Sequence, residues 1–311
     1  MTSSPGDTTP YAIPWTAPLE PPHPFSSRVR VEVGAVSDIG KVRALNEDAF
    51  LVYRLGRYLE PLGTNLPPGS LPERFDETGY ILAVADGMGG HAAGDVASRL
   101  ALRAGINLVL WAVKWALKLD HPAEGDAEVR EASDRVSTYF RQINQTLTQE
   151  GQKDPRLYGM GTTLTVAYTV GNDLFVFHVG DSRAYLYRGG RLRRLTPDDT
   201  VAQALVNLGE LSPEEAARHH MRHVLTQVLG GRGGDVKAHI HHQHLADGDR
   251  LLLCTDGLTD LVADAEIAAG LASYPSPDDA CKVLLAQALD RGGKDNVTIV
   301  LARYAIPGAA E

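Results

Sequence analysis

The alternation of apolar and polar residues starts at Arg28. Val31, Val33 and Ala35 alternate with polar or small residues, and Ala49 to Tyr53 follow, which predicts two strands on either side of a turn at Asp38-Ile39-Gly40. Residues 55–78 carry Pro61, Gly63, Pro67, Pro68, Gly69 and Pro72 and read as a long surface loop. Tyr80 to Ala85 is a continuous apolar run, expected as a buried strand. Val96, Leu100, Ile106, Val109, Leu110, Val113 and Leu117 recur at helical spacing and predict a long helix over 91–119. Gly125 separates it from a second helix over about 128–150. Strands follow at 162–170, 174–179, 184–187 and 192–195, with turns at Gly171-Asn172-Asp173 and Gly189-Gly190. Residues 200–228 read as short helices and loops, with Ser212 before Pro213-Glu214-Glu215 marking a helix start. Strands at 236–245, 250–254 and 296–304 and a helix near 277–289 complete the pattern. Tight turns between strands imply antiparallel sheets, and two long consecutive helices imply a helical layer. The spacing alone gives an α+β fold in one domain.

Composition narrows the function. The 311 residues hold 39 Asp+Glu against 30 Lys+Arg, a formal charge of -9. With no basic surplus to neutralise phosphates, a nucleic-acid partner is not expected. Two cysteines, Cys254 and Cys281, cannot build a disulfide framework or a thiolate zinc site. The most apolar segment, 106–119, is too short to span a bilayer and carries Lys114 and Lys118. The start of the chain lacks a charged-then-apolar leader pattern. These features lead to the expectation of a cytoplasmic protein with no direct membrane insertion. Seven prolines between Pro5 and Pro24 mark residues 1–27 as a flexible arm, ahead of a single domain over 28–305 and a short tail over 306–311. No glycine-rich strand-to-helix loop of the nucleotide-binding type occurs.

The acids then become informative. Apolar strands run into Asp86-Gly87, Gly180-Asp181 and Asp256-Gly257; Asp295-Asn296 leads into another strand, and Glu47-Asp48 opens the strand at Ala49. Taken singly, each is an ordinary turn, because Asp and Gly tolerate unusual backbone angles. Taken together, carboxylates at the mouths of buried strands lose hydration and repel one another. Such a set calls for cations, and carboxylate and water ligands suit Mg²⁺ or Mn²⁺. Two such ions about 3.5–4 Å apart activate water and hold the oxygens of an in-line displacement at phosphorus.

Seven motifs occur in a set order: Ser37-Asp38-Ile39-Gly40 with Arg43 and Asn46-Glu47-Asp48; Asp86-Gly87-Met88-Gly89-Gly90; Gly161-Thr162-Thr163; Val179-Gly180-Asp181-Ser182-Arg183; Leu195-Thr196-Pro197-Asp198; Thr255-Asp256-Gly257-Leu258; and Lys294-Asp295-Asn296-Val297-Thr298. Over residues 28–304 the sequence resembles the metal-dependent protein serine/threonine phosphatases of the protein phosphatase 2C-like type, in their bacterial form. The resemblance implies a four-layer α-β-β-α sandwich, two antiparallel sheets flanked by helices, with a flap over about 196–229. It implies that Asp86 bridges two Mn²⁺ or Mg²⁺ ions, with the Gly87 carbonyl on one and Asp256 and Asp295 on the other. Asp181 is implied to help hold a third, weaker ion, and Asp48 and Glu47 to contact metal-bound water. Arg43 is implied to bind the phosphoryl group, which its planar fork suits. Catalysis would be direct attack of a hydroxide bridging the ions, with Asp48 orienting or deprotonating it. No cysteine phosphatase loop is present, since neither cysteine has an arginine six residues on. Substrates would be phosphoserine and phosphothreonine in proteins, and the enzyme would counteract a Ser/Thr kinase. The alternative is a non-catalytic pseudophosphatase that binds a signalling partner; a third reading keeps the hydrolase but gives it a small phosphoester.

The sequence also departs from that pattern. Met88 stands where some relatives carry a histidine, which leaves the proton donor to metal-bound water or to His91. Asp199, Gln227 and Lys294 replace a histidine, an arginine and a small residue. Asn296 is expected only to orient Asp295, and Arg183 to pair structurally near Asp181. His239, His241, His242 and His244 share one strand, and His219, His220 and His223 one short helical stretch. Alternation puts His242 and His244 on one face and His239 and His241 on the other, so the reading is exposed histidines rather than a zinc or copper site. Trp111 and Trp115, four apart, read as helix packing.

Overall fold

Strict alternation inside short strands builds the sheets, and the central strand Arg250–Cys254 displays it most plainly. Leu251 and Leu253 point into one apolar layer and Leu252 and Cys254 into another, all four fully buried. Burying such a side chain contributes about 1.5–3 kcal/mol, so one strand can hold two layers together. The computed structural model describes residues 25–71, 73–89, 93–111 and 125–307.

In chain order the elements are β1 (Arg30–Asp38), β2 (Ala49–Leu59), β3 (Phe75–Ala85), β4 (Gly87–Met88), α1 (Ala93–Trp111), α2 (Gly125–Lys153), β5 (Gly161–Thr162), β6 (Leu164–Val170), β7 (Asp173–Val179), β8 (Arg183–Arg188) and β9 (Arg191–Arg194). Then come α3 (Val201–Asn207), α4 (Pro213–Ala216), β10 (Leu229–Gly230), β11 (His239–His244), β12 (Arg250–Cys254), α5 (Asp256–Thr259), α6 (Asp264–Ser273), α7 (Pro277–Asp290) and β13 (Val297–Ala305). One sheet runs β1-β13-β12-β8-β9, the other β11-β7-β6-β3-β2, and a small third runs β10-β5-β4. Every pairing is antiparallel. Leu82 and Val84 of β3 meet Leu253 of β12 and Val300 of β13 in the core between the large sheets. The opposite faces of β3, β6 and β7 pack on α1 and α2, and those of β12 and β13 on α6 and α7. The result is the four-layer α-β-β-α sandwich.

The structure changes several local expectations. β1 and β2 flank a turn but belong to different sheets, β1 pairing with β13 and β2 with β3. The stretch 55–78 is not all loop: β2 reaches Leu59 and β3 begins at Phe75. Charge rather than hydrophobicity extends that hairpin, since Arg57 faces Glu77 across it at 2.8 Å. The run 162–170 breaks at Thr163, which leaves the ladder to bond the backbone of Asp86. Helix α6 escapes the apolar pattern because its interior is alanine and glycine, with Ile267 and Leu271 as its buried long side chains. Ser212 caps α4 as expected, in a reciprocal box with Glu215, but the residues after Ala216 form turns, not a helix that would carry the histidines. Trp111 is 87% exposed, so it does not pack, and Trp115 and His91 lie outside the described residues. Most of the 1–27 arm lies outside them too, but Phe25–Arg28 forms a single 3₁₀ turn in which buried Ser26 binds Thr78 through both its hydroxyl and its carbonyl. Of the 306–311 tail, Ile306 is buried and tied to Asp247. No helix among the described residues is long and apolar enough to cross a membrane.

Candidate metal centre

Strand ends from both large sheets converge at one end of the sandwich. Asp86 follows β3, Asp181 follows β7, Asp256 follows β12 and opens α5, Asp295 precedes β13, and Glu47-Asp48 precedes β2. Asp86, Gly87, Asp181, Asp256, Asp295, Glu47 and Arg43 all line one cleft of about 850 Å³. Asp48 lies behind them, buried. All the acids singled out in the sequence thus fall in one place.

Their electrostatics follow from that crowding. Burial, and then the charges of Asp48, Asp256, Asp181 and Asp295, push the Asp86 carboxyl well above the usual range. Burial and the charges of Asp181 and Asp260 do the same to Asp256. Asp48 is pushed up to about 7 by burial, partly offset by hydroxyls of Thr298 and Thr255. Asp181 also rises to about 7, through burial and the neighbouring Asp198. Glu47 rises by burial, against a backbone hydrogen bond from Gly94. Buried like charges favour protonation unless a cation is present. Asp48 Oδ1 and Asp256 Oδ1 are buried and accept no hydrogen bond. An all-oxygen donor set with open lone pairs fits hard divalent ions, so the residues present suit Mg²⁺ or Mn²⁺.

The backbone around the acids is tied by polar residues whose importance the motifs did not convey. Thr255 Oγ1 donates to Asp48 Oδ2 at 2.8 Å, a bond that crosses from one sheet to the other, and accepts from the Thr298 N–H at 3.0 Å. Thr163 Oγ1 accepts from the Asp86 N–H at 2.9 Å and contacts Ser182 Oγ. Asn296 does more than orient Asp295. Its Oδ1 accepts from the Glu47 N–H at 2.8 Å, and its Nδ2 donates to the Ile39 and Leu45 carbonyls at 2.9 and 3.0 Å. It therefore fastens the loop that carries Arg43 and Glu47. Gly87 has a structural reason besides any carbonyl role: a Cβ there would strike the backbone carbonyls of Gly94 and Glu47.

Arg43 stands half exposed at the mouth and pairs with Asp295, Nη2 to Oδ2 at 2.6 Å. Arg183 is a structural ion pair, but its partner is Asp198 rather than Asp181, held bidentately at 2.9 and 2.7 Å. Burial alone would raise Asp198; the Arg183 guanidinium outweighs it and holds the carboxyl below its usual range. Over the cleft, the turns after α4 bring His223 to 3.8 Å from Asp256 and 3.5 Å from Asp260, a contact the sequence pattern gave no sign of. Two departures from the family pattern compensate each other. Asp199 Oδ1 accepts from Gln227 Nε2 at 3.1 Å and contacts His239 Nε2 at 2.8 Å, while Oδ2 accepts from the Gly180 N–H. Together they tie the segment before β10 to the turn before Asp181.

Beneath that turn, fully buried His178 is satisfied as a neutral ring. Nε2–H donates to the Gly180 carbonyl at 2.9 Å, and Nδ1 accepts from Thr165 Oγ1 at 2.8 Å. Burial, outweighing the attraction of Asp199, lowers its pKa to about 4. A folded pKa below the unfolded one means that the unfolded chain binds the extra proton. The contribution is complete above about pH 6.5 and is lost as pH falls toward 4, by roughly 3 kcal/mol. His178→Gln should cost stability at neutral pH, and its deficit against wild type should shrink on acidification. Denaturation midpoints of both proteins across that range check it; a pH-independent difference contradicts it.

Known proteins place these features in context. The family model described as protein phosphatase 2C matches residues 73–291. The serine/threonine protein phosphatase PstP of Mycobacterium tuberculosis is 38% identical over 268 residues, covering 86% of this chain and 44% of that protein. The chain thus spans less than half the length of that relative. Protein phosphatase PhpP of Streptococcus pneumoniae is 32% identical over 271 residues, covering 87% of this chain and 96% of its own. The crystal structure of the PstP catalytic domain in complex with two manganese ions superposes with a TM-score of 0.67 at 35% identity, over 89% of this chain and 99% of that one. With its motifs in order, its acids in one cleft and its sandwich shared, the chain belongs to the protein phosphatase 2C family.

Proposed function

We propose that this protein hydrolyses phosphoserine and phosphothreonine in proteins, using two Mn²⁺ or Mg²⁺ ions and a third held more weakly. The observation that carries the reading is the convergence of Glu47, Asp86, Asp181, Asp256 and Asp295 on one cleft with Asp48 buried behind them, and with oxygens of Asp48 and Asp256 that accept nothing. Asp86, the Gly87 carbonyl, Asp256 and Asp295 would hold the pair of ions, and Asp181 the third. Bound ions would supply an acidified water and positive charge opposite the phosphoryl oxygens.

The chain's own residues do the rest. Asp48 is fixed by Thr255 through one oxygen, which leaves the other to orient a water and take its proton. Glu47 stands beside it on the loop fastened by Asn296. Arg43 presents a half-exposed guanidinium that exchanges Asp295 for a phosphoryl group. Residues 28–305 form the catalytic unit and 196–229 its flap. Substrates are phosphorylated proteins, a class that the names of the relatives support, and the enzyme works in the cytoplasm, opposite a Ser/Thr kinase in a signalling circuit. The acid set is complete, which leaves a pseudophosphatase without a supporting observation.

The test is turnover of a phosphothreonine peptide by the purified chain. Turnover should require Mn²⁺ or Mg²⁺, stop on chelation and return on adding metal. A chain that binds Mn²⁺ and cleaves only small esters would shift the substrate class; one inert toward both at every pH tried would sink the reading.

A further inference from the structure

We propose a second metal site, far from the acidic cleft, made by Asp173, His242 and His244 and suited to Zn²⁺. Strand register brings these residues together. β11 pairs with β7 so that His244 sits directly opposite Asp173, and His242 opposite Phe175, one pleat further along the same face. Both imidazoles reach the same oxygen: His242 Nε2 lies 3.0 Å and His244 Nδ1 3.1 Å from Asp173 Oδ1. The three ligand atoms all lie within 4.8 Å of one another. In a tetrahedral zinc site with bonds of about 2.0–2.1 Å, ligand atoms stand roughly 3.3 Å apart, so small side-chain shifts suffice.

The surroundings favour a bound ion over a pair of isolated hydrogen bonds. Both rings turn a nitrogen toward one carboxylate oxygen, and a cation placed among them would engage all three groups at once. The His242 ring is fixed by stacking on Phe175, with centroids 4.5 Å apart. Asp173 is fixed by the turn before it, where Asn172 accepts from the Leu245 N–H at 2.7 Å. The site is sheltered on one side and open on the other: His242 and Asp173 are 19% and 14% exposed, His244 66%. Two imidazoles and one carboxylate, with room for water, form the three-ligand set of an open zinc site; they suit Zn²⁺ better than Mg²⁺ or Mn²⁺. The expectation from alternation stands in part. The four strand histidines do not converge, but the two on one face do, because the strand alongside supplies the third ligand. β11 is the edge strand of its sheet, so an ion there would staple the edge to β7.

Zn²⁺ binding to the full chain decides the matter, measured in excess Mg²⁺ to occupy the acidic cleft. Wild type should retain one more equivalent of Zn²⁺ than His242→Asn/His244→Asn or Asp173→Asn. Zn²⁺ should also raise the melting temperature of wild type more than that of either variant. Magnesium-dependent turnover of the variants reports that they are folded. A variant-free reading comes from diethyl pyrocarbonate labelling, in which Zn²⁺ should protect His242 and His244 while His219 and His220 stay reactive. Equal stoichiometry in all three proteins, or labelling of His242 and His244 unaffected by Zn²⁺, overturns the proposal.

Discussion

Replacing Asp256 with asparagine is expected to lower phosphopeptide turnover at least ~10³-fold, about 4 kcal/mol of transition-state stabilisation, while making the metal-free protein more stable. The two effects have one cause. Asp256 is a partly buried carboxylate among Asp181, Asp260, Asp295 and Asp48, and loss of hydration and their charges raise its pKa well above the ordinary value. A raised folded pKa means that its contribution to stability is present at low pH and is lost as pH rises. Asparagine keeps the shape and removes the charge, so the gain in the chelated protein should widen toward alkaline pH. Metal reverses the order. An ion that binds only the folded chain adds about 2.7 kcal/mol at a hundredfold excess over its Kd, and the variant forfeits much of that. Melting temperatures of both proteins, with chelator and with Mn²⁺, across neutral to alkaline pH, test the pattern. A variant that stays active, or that is less stable than wild type in chelator, would show that the carboxylate is not held against repulsion.

Gly257→Ala is expected to do comparable damage without touching a carboxylate. A Cβ at Gly257 would overlap the backbone carbonyl oxygen of Asn296, with the carbonyl carbon at 2.9 Å. Neither side can yield cheaply: Asn296 is tied to Ile39, Leu45 and Glu47, and Gly257 lies in the first turn of α5. The added methyl should cost ~3 kcal/mol or more in stability. It should also part Asp256 from Asp295, and a misplacement of about 1 Å is worth about 10² in rate. Denaturant midpoints and turnover at saturating Mn²⁺ measure the two losses. Wild-type values for both would mean that the two turns are not in contact as described.

Much of this architecture is legible in the residues themselves. Asp86, Asp181 and Asp256 stand out because each ends an apolar run beside a glycine, a local pattern. The strands are legible where a short apolar run is bounded by polar or turn residues, as in β12. Partner choice is not: nothing local tells β1 to join β13 while β2 joins β3. The hydrogen-bond hubs are only half legible: Thr163, Thr255 and Asn296 stand inside the motifs, but the groups they join come together only in the folded chain. His223 nears Asp256 only through the path of the turns between α4 and β10. Asp199 and Gln227 looked like two separate departures and prove to be one contact.

The Thr255–Asp48 bond marks a seam. On one side Asp86 hangs from β3; on the other Asp256 and Asp295 flank β12 and β13. What separates those acids is the layer in which Leu82 and Val84 meet Leu253 and Val300. The gap offered to a cation is therefore gauged by hydrocarbon several residues away. Swapping a core side chain for a bulkier or slimmer one should reset a caliper, changing the spacing of the acids with none of them replaced.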